Sequence, residues 1–81
     1  MKILFSAMAA EAFADLPEKA KRNAARTIEL LDRYPRIHPI RRRGVMRGYR
    51  YFVAGRFLVY YRVTSEEVQI AAVIPGMMRS A

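Results

Sequence analysis

Residues 48–63, GYRYFVAGRFLVYYRV, constrain the fold more than any other stretch of the chain. Apolar and polar residues alternate on both sides of Ala54-Gly55, the pattern of two strands joined as a β-hairpin. Extending the alternation gives three consecutive strands: Met46–Val53, Arg56–Thr64 and Glu67–Ile74. Short connections at Ala54-Gly55 and Ser65-Glu66 join them. Successive side chains on a strand point to opposite faces, so pairing sorts the residues into two sets. A two-residue loop sets Val53 against Arg56, and Thr64 likewise against Glu67. Phe57, Val59, Tyr61 and Val63 then share one face with Val68, Ile70, Ala72 and Ile74, which is expected to be dry. The other face carries Arg47, Tyr49, Tyr51, Arg56, Leu58, Tyr60, Arg62 and Gln69, a basic-aromatic platform. Alternation points Arg50 inward, so either it snorkels at the sheet edge or a bulge re-aims it.

Upstream of the strands the period changes. KILFS is β-prone, with Ile3 and Phe5 on one face, and AAEAFADL is helix-prone. Pro17 interrupts that helix and suits the first turn of a second, with Asp15 or Leu16 near the cap. The second helix, EKAKRNAARTIELLDRY, sets Ala20, Ala24, Ile28 and Leu31 on one face together with Thr27 and Tyr34. Glu18–Arg22 and Glu29–Arg33 are spaced as ion pairs on its surface. Pro35 stops the helix, and PRIHPIRRRG reads as a loop without a usable period. The order is strand, helical hairpin and three-stranded antiparallel meander. That makes one α+β domain over residues 1–81, with the helices on one face of the sheet.

Composition narrows the chemistry. At 53% hydrophobic and 27% charged residues the chain is globular rather than disordered. At 81 residues it forms one small domain of modest stability, so a partner that covers apolar surface matters. Fifteen Lys and Arg against seven Asp and Glu leave a net charge of +8, which favours nucleic acid, an acidic protein or an anionic surface as partner. The absence of cysteine excludes disulfides, Cys-based zinc sites and a thiol nucleophile. One His with scattered carboxylates gives no metal-ligand cluster, and nothing calls for a cofactor. MKILFSAMAA has one Lys and a short apolar run, but EAFADLPEK follows at once and no stretch is long enough to span a membrane. A cytoplasmic protein without a membrane partner is expected.

Several residues carry two readings. Arg41, Arg42 and Arg43 form either a solvated basic loop or a patch for phosphate or carboxylate, since each guanidinium offers bidentate donors. Tyr49, Tyr51 and Tyr60 either cover a solvated sheet face or stack against a ligand. His38, between Pro35 and Pro39, is a loop residue with no nearby carboxylate to orient it as a base. Met77 and Met78 follow Gly76 as a tail or as adaptable apolar contacts. A basic sheet with tyrosines also fits a single-stranded RNA-binding module, although no sequence typical of one is present.

The order of elements resembles that of the RelE/ParE superfamily of bacterial type II toxins. The likeness spans the whole chain and is strongest at GYRYFVAGRFLVYYRV and VQIAAVIPG, with a further likeness at LPEKAKRNAARTIELLDRYPRI. It implies one of two activities. RelE-like toxins cut mRNA on the ribosome without metal, using cations to stabilise the developing charge and a group that activates the 2′-hydroxyl. ParE-like toxins inhibit DNA gyrase by binding it. Both kinds imply a cognate antitoxin whose acidic C-terminal segment wraps the toxin.

Carried onto this chain, the nuclease pattern is incomplete. The register of its strand arginine falls on Leu58, and its lysines fall at or near Tyr49 and Tyr51. The arginine expected after the last strand meets Met77 or Met78, with only Arg79 close. Were the chain a nuclease, Arg47, Arg56, Tyr60, Arg62 and Arg79 would carry the chemistry. GRFLVYYRV instead looks like the ParE-like hairpin, although the basic residues usual after the last glycine are missing and the first helix is short for that type. A gyrase-binding toxin is therefore the leading expectation. A RelE-like mRNA endonuclease is the alternative, and an inactive homologue or an RNA-binding module comes after it.

Overall fold

Strand, helical hairpin and meander follow one another in the expected order in the computed structural model, which describes residues 1–76. The elements are β1 (Lys2–Phe5), α1 (Ala7–Ala14), α2 (Glu18–Leu31), β2 (Arg50–Ala54), β3 (Phe57–Val63) and β4 (Glu67–Pro75). They form one four-stranded sheet in the order β1-β4-β3-β2, with β1 parallel to β4 and the other pairs antiparallel. This is the α+β arrangement that the sequence implies.

Ser6 starts α1. Its backbone is extended, and its hydroxyl accepts the Ala9 N–H at 3.0 Å. The same hydroxyl donates to the Ala71 carbonyl at 3.1 Å, tying the helix to β4. Pro17 is the cap residue of α2 rather than a first-turn residue. Its carbonyl accepts the Lys21 N–H at 2.8 Å, the first bond of the helix. Ala20, Ala24, Ile28 and Leu31 are buried, as their spacing requires. They pack with Phe52, Val59, Tyr61, Val68 and Ile70 in one core between helices and sheet. The helix ends at Leu31, before Tyr34, which is exposed. Arg33 lies beyond that end. Among the described residues Glu18 and Arg22 pair at 3.8 Å, whereas Glu29 and Arg33 do not. The Met1 ammonium pairs with the Asp32 carboxylate and holds it below the usual carboxylate range.

Three departures from the expected sheet have physical causes. The β2–β3 turn is Gly55-Arg56 rather than Ala54-Gly55, with Ala54 opposite Phe57 and Val53 opposite Leu58. Gly55 has φ +62, and the favoured turn with one positive φ places its glycine first. Centring the turn on Ala54-Gly55 makes Ala54 that first residue, a position that disfavours a side chain. The shift is two in register, so each side chain keeps its face. On β4 the register slips between Tyr60 and Tyr61, where Ala71 is inserted as a bulge. Val73 therefore turns into the core, while Ala72 and Ile74, expected on the dry face, lie opposite Tyr60 and Leu58 on the other side.

The third departure concerns residues 35–49. β2 begins at Arg50, not at Met46, because Gly44 and Gly48 take φ of +86 and +93 and fold the preceding residues into turns. The segment is nevertheless bonded to the sheet. Tyr51 N–H donates to the Pro39 carbonyl at 3.1 Å, and Ile40 bridges Arg50. Arg41 N–H donates to the Tyr49 carbonyl at 2.7 Å, and Gly48 N–H returns to the Arg41 carbonyl at 2.9 Å. Together these bonds cover the outer edge of β2, which would otherwise be open to another strand.

Candidate functional site

The sheet face opposite the helices, bordered by residues 39–49, holds most of the residues singled out in the sequence. Near β1 it is polar. Arg62 Nε donates to Gln69 Oε1 at 3.1 Å, and Gln69 Nε2 donates to Glu67 Oε1 at 3.0 Å. The Arg62 guanidinium also lies 5.8 Å from the Tyr49 ring centroid, within reach of a cation–π contact. Leu4, Tyr49, Arg62 and Gln69 line a cleft of about 280 Å³ here. Next comes an aromatic pair, Tyr51 and Tyr60, with centroids 5.8 Å apart.

Towards the β2–β3 turn the face becomes apolar. Leu58 and Tyr60 are only 3% and 2% exposed, so the expectation that they stand on an uncovered platform is corrected. The loop of residues 41–46 lies beside them, and Ile74, swung over by the bulge, lies opposite Leu58. Arg41, Arg43, Val45, Leu58, Tyr60 and Ile74 border a second cleft, of about 240 Å³. Of the loop's apolar residues, Met46 is half-buried beside Leu58 and Tyr60, whereas Val45 is exposed.

The cations expected on the platform, Arg47, Arg56 and Arg62, do not gather, whereas Arg41, Arg42 and Arg43 border a cleft of about 390 Å³ together with Tyr51. Arg47 lies in the loop, exposed, with its N–H bonded to the Gly44 carbonyl at 3.1 Å. Arg56 is an exposed turn residue. It and Arg62 flank β3 at opposite ends, on the order of 20 Å apart at ~3.4 Å per residue. Arg42 and Arg43 are exposed, and Arg41 is half-buried with its Nε bonded to the Arg43 carbonyl at 3.1 Å. Arg79, Met77 and Met78 lie outside the described residues. Val45, Val53 and Ile74 belong to this surface although sequence reasoning did not place them there. Val53 was legible in principle, because it shares the parity of Tyr51.

Arg50 resolves on the opposite face. No bulge re-aims it. Its Nη1 donates to the carbonyls of His38 at 2.7 Å and Arg36 at 3.2 Å, the snorkelling outcome. Beside it Tyr61 donates its hydroxyl to the Pro35 carbonyl at 2.9 Å. The His38 ring packs on Phe52 at 5.3 Å, and burial lowers its pKa. Burial raises that of Tyr61, against the opposing charge of Arg50. These residues clamp the loop to the core rather than face a ligand. Among the described residues no group of acidic, His or Cys side chains is arranged to hold a metal, and no helix is long and apolar enough to cross a membrane.

Residues 3–79 match the family model of the ParE toxin of the type II toxin–antitoxin system parDE. The chain belongs to the ParE toxin family. No curated protein sequence matches it. Solved structures resemble it in fold. One is the chromosomal ParDE toxin–antitoxin system from P. aeruginosa, at 20% identity and TM-score 0.71, covering 93% of this chain and 95% of that one. The YoeB dimer from Staphylococcus aureus matches at 18% identity and TM-score 0.72, covering 91% and 94%. The archaeal RelE-RelB complex from Pyrococcus horikoshii OT3 matches at 17% identity and TM-score 0.75, covering 99% and 97%. This ParE-family chain thus has the fold of the RelE/ParE superfamily. The centre of its sheet face is the buried pair Leu58 and Tyr60.

Proposed function

We propose that the chain is a toxin neutralised by an acidic antitoxin segment, and that it acts by binding DNA gyrase rather than by cutting RNA. The observation that carries this reading is the burial of Leu58 and Tyr60 at the centre of the sheet face. A cleavage site needs cations converging on one phosphate, each commonly worth ~10²–10³ in rate. Here an aliphatic residue occupies the centre, while Arg56 and Arg62 stand at the two ends of β3. A surface of separated arginines around apolar residues suits a protein with carboxylates. The net charge of +8 and the family of the chain support an acidic antitoxin as its regulator.

One observation favours mRNA cleavage instead. Arg62, stacked on Tyr49 beside an open cleft, pairs a cation with an aromatic ring as RNA-binding surfaces do. Two assays separate the readings: gyrase supercoiling, and primer extension on translated mRNA after expression without antitoxin. The expected result is slowed growth, blocked supercoiling and intact mRNA. Discrete cuts on ribosome-bound mRNA that vanish in Arg62→Ala or Arg56→Ala would put the nuclease reading first. Absence of both activities would identify an inactive homologue.

A further inference from the structure

Between Asp32 and Glu66 the chain holds no Asp, Glu or Lys, so every full charge there at neutral pH belongs to an arginine. Four of these, Arg41, Arg42, Arg43 and Arg47, fall within one loop ahead of β2. Arg42, Arg43 and Arg47 are exposed and Arg41 is half-buried. The ion pairs among the described residues are Met1 with Asp32 and Arg22 with Glu18, so none of the four is neutralised. Arg41, Arg42 and Arg43 make up half the lining of the cleft of about 390 Å³, with Pro39, Ile40 and Tyr51 as the remainder. A surface of one sign raises the local concentration of ligands of the other.

The loop holds these cations in place before any ligand arrives. Arg41 N–H donates to the Tyr49 carbonyl, and Gly48 N–H donates to the Arg41 carbonyl. Arg47 N–H donates to the Gly44 carbonyl, and Tyr49 N–H to that of Met46. Gly44 and Gly48, with φ of +86 and +93, supply the left-handed residues that this path needs. The Arg41 side chain is held by its Nε bond to the Arg43 carbonyl, which leaves its Nη donors for a ligand. Ordering the loop therefore costs little at the moment of binding.

Exposure decides the kind of anion. A single carboxylate gains little from a solvated guanidinium. A polyanion that carries condensed counterions gains from releasing them, and this needs no burial. A single strand binds by laying its bases on open aromatic faces. Here Tyr51 is half-buried and faces the buried Tyr60, while Tyr49 with Arg62 belongs to the other cleft. What the loop presents is guanidinium without an open ring, which suits a ligand that shows its phosphates and hides its bases. We propose that the loop carrying Arg41, Arg42, Arg43 and Arg47 binds the phosphodiester backbone of duplex DNA without regard to sequence. The inference stands on the loop alone and does not depend on the toxin reading.

The test measures fluorescence anisotropy of a labelled 20-base-pair DNA duplex of arbitrary sequence with the full chain, from about 50 to 200 mM salt. Affinity should fall with salt at a log–log slope of about −2 to −4, as two to four phosphate contacts require. Arg42→Gln and Arg43→Gln should each flatten the slope by about 1 and weaken binding several-fold at the lowest salt. Arg26→Gln and Arg33→Gln lie at exposed positions on and just after α2 and remove the same charge. They should leave the slope unchanged. A second duplex of unrelated sequence should bind equally well. In the isotope-labelled protein the duplex should shift the Arg42, Arg43 and Arg47 signals most. Four outcomes would overturn the proposal. One is equal flattening by the α2 variants, which would assign binding to the diffuse net charge. Another is tighter binding of oligouridylate than of duplex, with shifts centred on Tyr49 and Arg62. A third is equally effective competition by polyglutamate of the same charge, which would make the loop a site for carboxylates. The last is no binding at the lowest salt. Unchanged thermal midpoints of the four variants, all at exposed positions, confirm that a lost contact and not a lost fold is being read.

Discussion

Arg50 holds the loop that precedes it, its Nη1 donating to the His38 carbonyl at 2.7 Å across the edge of the sheet. A second bond from the same nitrogen reaches the Arg36 carbonyl at 3.2 Å. This pairing turns an inward-pointing arginine into a clamp on the segment that leads to the basic loop. Arg50→Met keeps much of the stem and removes the donors. It is expected to lower stability by roughly 1–2 kcal/mol, the scale of a partly exposed charged hydrogen bond. Amide exchange should localise the effect. The N–H groups of Tyr51 and Arg41, bonded to Pro39 and Tyr49, should exchange faster, and those of α2 should not.

Ser6 serves two elements at once. Its hydroxyl accepts the Ala9 N–H and donates to the carbonyl of the bulged Ala71. Ser6→Ala should cost roughly 1–2 kcal/mol, a helix cap together with one cross-element bond. Ser6→Asp should recover only part of this, because a carboxylate accepts but cannot donate to Ala71. Ser6→Thr should recover most of it. Urea midpoints of the three variants provide the comparison.

His38 sets a pH dependence whose sign follows from its burial. The folded-state pKa lies below the ordinary value of 6.5. Above 6.5 the ring is neutral in both states and titration contributes nothing. As pH falls through 6.5 the unfolded chain takes up the proton first, so stability declines until the folded ring titrates as well. His38 is the single histidine, which isolates the effect. Denaturation midpoints between about pH 7.5 and pH 5 should fall in the wild type and stay flatter in His38→Gln. Asp32 acts in a separate, more acidic window, below its ordinary 3.8, where loss of its pairing with the Met1 ammonium is expected.

The sequence made periodic features legible and nonlocal ones illegible. The stripe Ala20, Ala24, Ile28 and Leu31 is a matter of helical period, and all four are buried. The faces of β2 and β3 survived a wrong turn position because a register shift of two preserves parity. The bulge at Ala71 had no such protection. Ala71 and Ala72 are the same residue type, and the carbonyl of the extra one is bonded to Ser6, far away in sequence. The candidate site was half legible for the same reason. Tyr49, Tyr51 and Arg62 were assigned from alternation, whereas the burial of Leu58 and Tyr60 depends on a loop whose path follows from positive φ at Gly44 and Gly48.

Adjacent leucines on α2 give a controlled test of the core. Leu31 is fully buried and Leu30 is exposed. Leu31→Ala should destabilise by ~2–5 kcal/mol, as should Ile28→Ala, because each leaves a cavity against the sheet. Leu30→Ala should stay within roughly 0.5 kcal/mol, the range for exposed sites. Thermal midpoints of the three variants check the assignment. An unmoved midpoint for Leu31→Ala would mean that the dry face has been misassigned.

Leu58→Arg addresses the function directly. It installs a cation at the position where the resemblance to the nuclease-type toxins implies one. In this chain that position is 3% exposed, beside the Arg41–Met46 loop and opposite Ile74. A guanidinium there has no carboxylate partner, and the cost of an unpaired buried charge runs to several kcal/mol unless the side chain escapes. The protein should therefore lose stability or displace the loop to let the arginine reach water. Displacement would appear as faster exchange at the Gly48 N–H, which is bonded to the Arg41 carbonyl. Neither outcome assembles a cleavage site, since Arg56 and Arg62 remain at opposite ends of β3. The expected result is a destabilised variant that leaves translated mRNA intact. A variant with an unchanged thermal midpoint that cuts mRNA would show that the sheet face is one substitution from a nuclease, and the gyrase reading would lose its main support.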